Sequence, residues 1–131
     1  MRTRQTLSHA LFRCEWVLLS LALPLGLACG GDRIVSVDAG SASKRIEAHV
    51  GDRVDIHLWA GAGGLYESSP TISTSAVQFI DESIEIGTGG FVSPGGPGQL
   101  FRFRAISRGT ALVTFSPVQD APVVVDTINV Q

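Results

Sequence analysis

The chain has 131 residues, of which 44% are hydrophobic and 17% are charged, and its formal net charge is −2. That length suits one small domain. A composition with so many apolar and so few charged residues excludes a disordered acidic or basic tail. Ten basic residues against twelve acidic ones give no excess of positive charge, so we expect no nucleic-acid partner.

The first 28 residues have the organisation of an export signal. Arg2, Arg4 and Arg13 precede an uncharged, largely apolar run over 16–28. As a helix this run would be ~20 Å long, too short for the ~30 Å hydrocarbon core of a bilayer. A positive start, a short apolar run and small residues at its end are typical of a cleaved secretory signal peptide.

The end of this run, LPLGLACGGD, resembles a bacterial lipoprotein signal, in which a Leu-rich stretch ends in a small residue followed by cysteine. Gly26 stands where that family most often has Leu. The resemblance implies a signal peptide over 1–28, acylation of Cys29, and a lipidated cysteine and tether over 29–33. Cys14 lies in the removed segment, so Cys29 has no disulfide partner, and lipidation explains a lone cysteine in an exported protein. The alternative is an ordinary cleaved signal that leaves Cys29 as a free or paired thiol.

The same resemblance implies a protein that is exported and anchored at the bacterial cell envelope by two or three acyl chains, which hold a protein stably. Gly30 follows the cysteine, in place of the Asp that retains such proteins at the inner membrane in some bacteria, so we expect the outer membrane. The mature chain has seven basic and eleven acidic residues, a net charge of −4 that argues against a polybasic contact with the membrane.

Residues 34–131 have the pattern of one all-β domain. Strict alternation over 53–59 predicts a strand with Val54, Ile56 and Leu58 on one face. Three further segments predict strands by alternation or by β-branched, apolar composition, namely 101–105, 111–115 and 122–130. Weaker candidates are 33–37, 44–50, 70–73 and 76–80.

Glycine, proline and serine clusters separate these segments, and no window after the signal carries a helical stripe. Seven or eight short strands with such spacing predict an immunoglobulin-like β-sandwich, without the Cys…Trp…Cys pattern of antibody domains. Gly109-Thr110 ahead of an apolar strand predicts a hairpin with arms at 104–106 and 112–114. We expect the domain to be a monomer.

Residues that could carry chemistry are few in the mature chain. His49 and His57 have no nucleophile or metal-ligand motif nearby, so each is expected to be a surface or rim histidine. Asp81, Glu82 and Glu85 lack the pattern of a calcium loop and are expected in a solvated turn. We therefore predict no enzyme activity, no catalytic residue, no metal and no cofactor, with an enzyme using either histidine as the least favoured alternative.

From Val50 to the C-terminus, the order of short motifs resembles that of the chagasin-like inhibitors of papain-type cysteine proteases. Val50-Gly51-Asp52 precedes an alternating strand, and Gly95-Gly96 precedes the strand sequence FRFRA. A Gly-Thr-Ala turn then leads into an apolar strand. The resemblance implies an immunoglobulin-like sandwich over 34–131, with three loops that in the family enter the protease cleft.

At those three loops this chain keeps only part of the family's pattern. The first loop reads GAGGLYE where the family has N-P-T-T-G-Y, the second keeps two glycines, and the third keeps Pro117 without the Arg and the aromatic residue. We therefore predict a non-enzymatic binding or structural module. The alternative is an inhibitor whose protein partner is a cysteine protease. The candidate binding residues in the loops are Gly63, Gly64, Leu65, Tyr66, Glu67, Gly95, Gly96 and Pro117.

Overall fold

The computed structural model of the protein describes residues 32–61, 64–86 and 96–131, and these ranges contain eight β-strands. They form two four-stranded sheets packed as an immunoglobulin-like β-sandwich, which confirms the predicted fold class. The described residues include no helix that is long and apolar enough to cross a membrane. The strands are β1 (Ile34–Gly40), β2 (Arg45–Ala48), β3 (Arg53–Trp59), β4 (Thr71–Ile72), β5 (Val77–Glu85), β6 (Gly98–Ala105), β7 (Gly109–Phe115) and β8 (Val124–Val130).

The first sheet has the strand order β1-β3-β6-β5, and the second has the order β2-β8-β7-β4. The pairs β1/β3 and β2/β8 are parallel, and the other neighbouring strands are antiparallel. Each segment that the sequence predicts as a strand overlaps one, although β1, β5, β6 and β7 extend beyond the predicted bounds and the last strand begins at Val124 and not at Pro122.

The core lies between the sheets and is formed by the inward-facing positions of the alternating strands. Val54, Ile56 and Leu58 of β3 are buried, as their alternation predicts. Phe101 and Phe115 come from opposite sheets, and their ring centroids are 4.8 Å apart in an edge-to-face arrangement. Burial of this apolar area, at ~25 cal/mol per Å², is the main force that joins the two sheets.

The hairpin predicted around Gly109-Thr110 is wrong. β6 lies in the first sheet and β7 in the second, so the connection 106–108 crosses between the sheets. Ile106 and Ser107 donate their backbone N–H groups to the carbonyl of Ala76. The partners of β6 within its sheet are β3 and β5, and a turn signal next to β6 carries no information about those distant strands.

Asp81, Glu82 and Glu85 lie in β5, which corrects the prediction of a solvated turn. A shift in register between Phe79 and Asp81 leaves Ile80 as an extra residue in the pairing with β6. Each carboxylate has a hydrogen-bond partner on another strand of the same sheet, so the acidic cluster is compatible with the sheet. These partners are, in order, Arg102, Gln99 and His57.

The strand directions give the sandwich two different ends. At the loop end β1, β3, β5 and β7 finish, and the turn 41–44 and the β3–β4, β5–β6 and β7–β8 connections begin there. At the tether end the chain enters β1, and this end carries the turns 49–52 and 106–108. A seven-residue strand such as β3 separates the two ends by ~20 Å.

Asp126 of β8 is fully buried, in phase with Val124, Ile128 and Val130. Its Oδ1 accepts a hydrogen bond from the N–H of Lys44 at 2.7 Å, whereas Oδ2 has no partner among the described residues. Burial raises the pKa of this carboxyl above its ordinary value, because the charged form loses its hydration. The charged carboxylate therefore destabilises the fold at neutral pH, and this cost disappears as the pH falls below the raised pKa.

Candidate functional site

Two of the connections at the loop end are hydrogen-bonded to each other. The N–H of Glu67 donates to the carbonyl of Ser116, and the N–H of Val118 donates to the carbonyl of Leu65, both at 2.8 Å. An isolated antiparallel bridge joins the residues between these two pairs. The β3–β4 and β7–β8 connections therefore form one continuous surface.

The side chain of Gln99 ties this surface to β6. Gln99 is buried, and it lies three residues after Gly96 of the β5–β6 connection. Its Oε1 accepts a hydrogen bond from the N–H of Tyr66, while its Nε2 donates to the carbonyl of Tyr66 at 3.0 Å and to Oε1 of Glu82 at 2.9 Å. The amide oxygen and both amide hydrogens are thus used, and Gln99 positions the β3–β4 connection.

Gln99 was not among the residues predicted for the site, although the sequence carries a signal for it. Gln99, Phe101 and Phe103 occupy alternate positions of β6, and both phenylalanines are fully buried. A glutamine in phase with two core residues must face inward, where its amide needs hydrogen-bond partners. The pattern identifies a buried amide, but it does not say which backbone groups the amide holds.

Tyr66 belongs to the core, which corrects its place among the candidate contact residues. It is only 2% exposed, and its ring packs edge-to-face on Phe115 with centroids 6.4 Å apart. Its hydroxyl donates to the carbonyl of Pro122 at 3.3 Å, and burial raises the pKa of the phenol. Tyr66 therefore supports the loop end from beneath and offers no surface to a partner.

Two of the candidate glycines occupy positions that a larger residue would strain. A Cβ on Gly64 would lie 2.9 Å from the Cβ of Ala60, closer than two such atoms can approach. Gly96 has a φ of 89°, which L-residues with a side chain rarely adopt. Both glycines shape the backbone of the loop end.

Some of the other candidate residues lie at or near the surface, and the rest lie outside the described residues. Glu67 is exposed, and Leu65 and Pro117 are half-buried. Gly63, Gly95 and Cys29 lie outside the described residues. The described members of the three candidate loops meet at one end of the sandwich, which is the arrangement that the inhibitor interpretation requires.

The loop end also exposes large apolar side chains. Four of them are between 52% and 67% exposed, and they are Ile84, Ile86, Val118 and Val123. A pocket of about 140 Å³ opens between the β3–β4 and β7–β8 connections and is lined by Ala60, Gly64, Gln119, Asp120 and Ala121. Exposed apolar side chains and a small pocket at the same end can bind a partner by burial of area.

Solved structures resemble this arrangement of strands. The domain is similar to the cysteine protease inhibitor EhICP2 from Entamoeba histolytica, with a TM-score of 0.56 and 9% identity over 76% of this chain and 96% of that chain. The likeness to EhICP2 is one of fold. The solution structure of amebosin aligns with a TM-score of 0.40 and 15% identity, over 77% of this chain and 100% of that chain. No protein-family model and no curated protein matches the sequence.

The two histidines of the described residues are His57 in β3 and His49 in the turn that precedes β3. Nε2 of His57 is 3.2 Å from Oγ of Ser36, and its Nδ1 is 2.9 Å from Oε2 of Glu85. This order of groups is that of a hydrolytic triad, but Ser36 is exposed on an edge strand, where water is not excluded. The contacts instead link β1, β3 and β5 across the sheet. His49 is exposed at the tether end, beside Asp52.

Proposed function

We propose that this protein is an exported lipoprotein that binds a protein partner through its loop end and catalyses no reaction. The observation that carries this proposal is the surface at that end, where two connections are hydrogen-bonded to each other and four large apolar side chains are exposed. Burial of such side chains by a partner gains free energy, and clusters of them are typical of interfaces.

The hydrogen bonds of the loop end favour tight binding, because they order its backbone before any partner arrives. Two backbone bonds join 60–70 to 116–123, and Gln99 joins the first of these to β6. A surface that is already held in place loses little conformational entropy on binding. Asp120 in the wall of the pocket favours a partner that inserts a basic side chain.

A photoreactive amino acid at Val118 tests this binding surface. We expect a cross-link from Val118 to an envelope protein in intact cells, because this position is 62% exposed within the loop end. Leu112 is the matched control, since it is an exposed apolar residue on the outer side of β7. Cross-linking of equal yield at the two positions, or at neither, would contradict a binding surface at the loop end.

The motif LPLGLACGGD supports the lipid anchor, and the substitution Cys29→Ser tests it. We expect this variant to incorporate no labelled palmitate and to leave the membrane fraction, because it lacks the sulfur that carries the diacylglyceryl group. Cys14→Ser is the matched control and should be labelled normally, since Cys14 lies in the removed signal. Palmitate in the Cys29→Ser variant would exclude Cys29 as the anchor.

Inhibition of a papain-type cysteine protease is the second candidate function. The likeness of fold to EhICP2, itself a cysteine protease inhibitor, and the meeting of the three loops at one end favour it. Because Tyr66 is buried, the contact with a protease would come from exposed side chains such as Glu67 and Val118.

An assay of papain with the mature chain separates this candidate from binding of another partner. If the loop end occupies the protease cleft, inhibition is competitive, and Val118→Asp weakens it about tenfold or more, the equivalent of ~1.4 kcal/mol. Leu112→Asp should leave the inhibition constant unchanged. No inhibition at the highest soluble concentration would reject papain as a target and leave the binding proposal intact.

A further inference from the structure

The tether end is one surface built from three separate stretches of the chain. The N–H of Arg53 donates to the carbonyl of Arg33, so the chain enters the domain beside the start of β3. The N–H of Gly51 donates to the carbonyl of Ala105, and the N–H of Ala105 donates to the carbonyl of Asp52, each at 2.9 Å. The stretches 32–34, 49–53 and 104–108 are therefore held together.

Three large apolar side chains project from this surface. Ile34 lies at the start of β1, and Val50 and Ile106 lie in the two adjoining turns; each is between 47% and 50% exposed. Tight turns ordinarily carry glycine or polar residues, so apolar side chains in two neighbouring turns need a reason beyond the turns themselves. Contact with an apolar or interfacial medium would supply one.

The charges of the tether end are compatible with a lipid surface. Asp32 is paired with Arg104, and the buried Asp52 is paired with Arg33, which leaves the exposed Arg108 without an acidic counterpart among the described residues of this end. Arg104 also lowers the pKa of the Asp32 carboxyl through a hydrogen bond. The mature chain is acidic as a whole, but this end does not repel the phosphates of anionic lipids.

The spacing of Cys29 from the domain limits how far this end can lie from the lipid. Three residue steps separate Cys29 from Asp32, so a fully extended tether spans at most ~11 Å. The loop end lies a further ~20 Å or more away along the strands. An acylated Cys29 therefore brings the tether end to the membrane before any other part of the domain.

From these observations we infer that the tether end of the anchored domain rests on the lipid surface, with Val50 and Ile106 in the interfacial layer and the loop end directed away from the membrane. The inference rests on the proposed acylation of Cys29. It adds an orientation, in which the partner of the loop end approaches from the aqueous side.

A fluorescent probe at single cysteines tests this orientation in the acylated mature protein. The sulfur of Cys29 is then blocked and Cys14 is removed, so a new cysteine is the only free thiol. An environment-sensitive probe is attached to Val50→Cys, Ile106→Cys and, as the control at the loop end, Val118→Cys. Each protein is reconstituted in vesicles of phosphatidylethanolamine and phosphatidylglycerol, and its pelleting with the vesicles is measured first.

We expect blue-shifted emission at positions 50 and 106, with quenching by spin-labelled lipids, and aqueous emission at position 118. Aqueous emission at all three positions in a protein that pellets with the vesicles would overturn the orientation while the anchor stands. Blue-shifted emission at 50 and 106 only after envelope protein is added would also overturn it, in favour of a protein contact. A protein that carries no acyl chain and does not pellet would overturn the anchor and the orientation together.

Discussion

Phe115→Ala is expected to lower the free energy of unfolding by about 3–5 kcal/mol, the usual cost of removing a large aromatic side chain from a packed core. Phe115 is fully buried, and its ring centroid lies 4.8 Å from that of Phe101, 6.2 Å from that of Phe103 and 6.4 Å from that of Tyr66. Its side chain thus joins both sheets to the residue that supports the loop end. Alanine would lose all three ring contacts and leave a cavity in the core.

Urea unfolding followed by circular dichroism measures this effect. Leu112→Ala is the control, because Leu112 lies on the same strand but is 45% exposed, and its truncation should cost well under half as much as that of Phe115. An equal loss of unfolding free energy in the two variants would mean that the contacts of Phe115 do not stabilise the core as we expect.

Gln99→Leu is expected to lower the free energy of unfolding by on the order of 3 kcal/mol and to release the β3–β4 connection from β6. Leucine fills most of the volume of glutamine but makes no hydrogen bond. The N–H and the carbonyl of Tyr66, and the carboxylate of Glu82, would each lose a partner. Buried backbone groups without partners are costly, so the connection should move toward water.

Urea unfolding and hydrogen exchange at the amide of Tyr66 together measure the loss of this contact. Gln78→Leu is the matched control, since it makes the same chemical change at an exposed position of β5. We expect faster exchange at Tyr66 and a weaker cross-link from Val118 only in the Gln99 variant. Unchanged exchange at Tyr66 would show that other contacts hold the connection.

The strands themselves could be predicted from the sequence because alternation reports which face of a strand is buried. Val54, Ile56 and Leu58 face the core in the structure as they do in the pattern. The prediction of a solvated turn for Asp81, Glu82 and Glu85 was wrong, because the hydrogen-bond partners of their carboxylates lie on β3 and β6. Local composition does not contain that information.

The loops of the candidate site could be located from the sequence, but the roles of their residues could not. Tyr66 stands in a glycine-rich segment that is typical of a surface loop, yet Phe115 and Pro122 enclose it. The sequence indicates that the side chain of Gln99 faces inward, but only the structure shows that it is hydrogen-bonded to the backbone of Tyr66. Both residues depend on groups more than 30 positions away or on the opposite sheet.

What the sequence by itself determined was the all-β fold class, the approximate positions of the strands, and the face of the alternating strands that meets the core. These properties follow from composition and from a period of two residues, which are local. The tertiary structure decided which sheet each strand joins, which broke the expected hairpin between β6 and β7. It also decided that the candidate loops meet at one end while the chain enters at the other, because strand pairing and direction are set by long-range contacts.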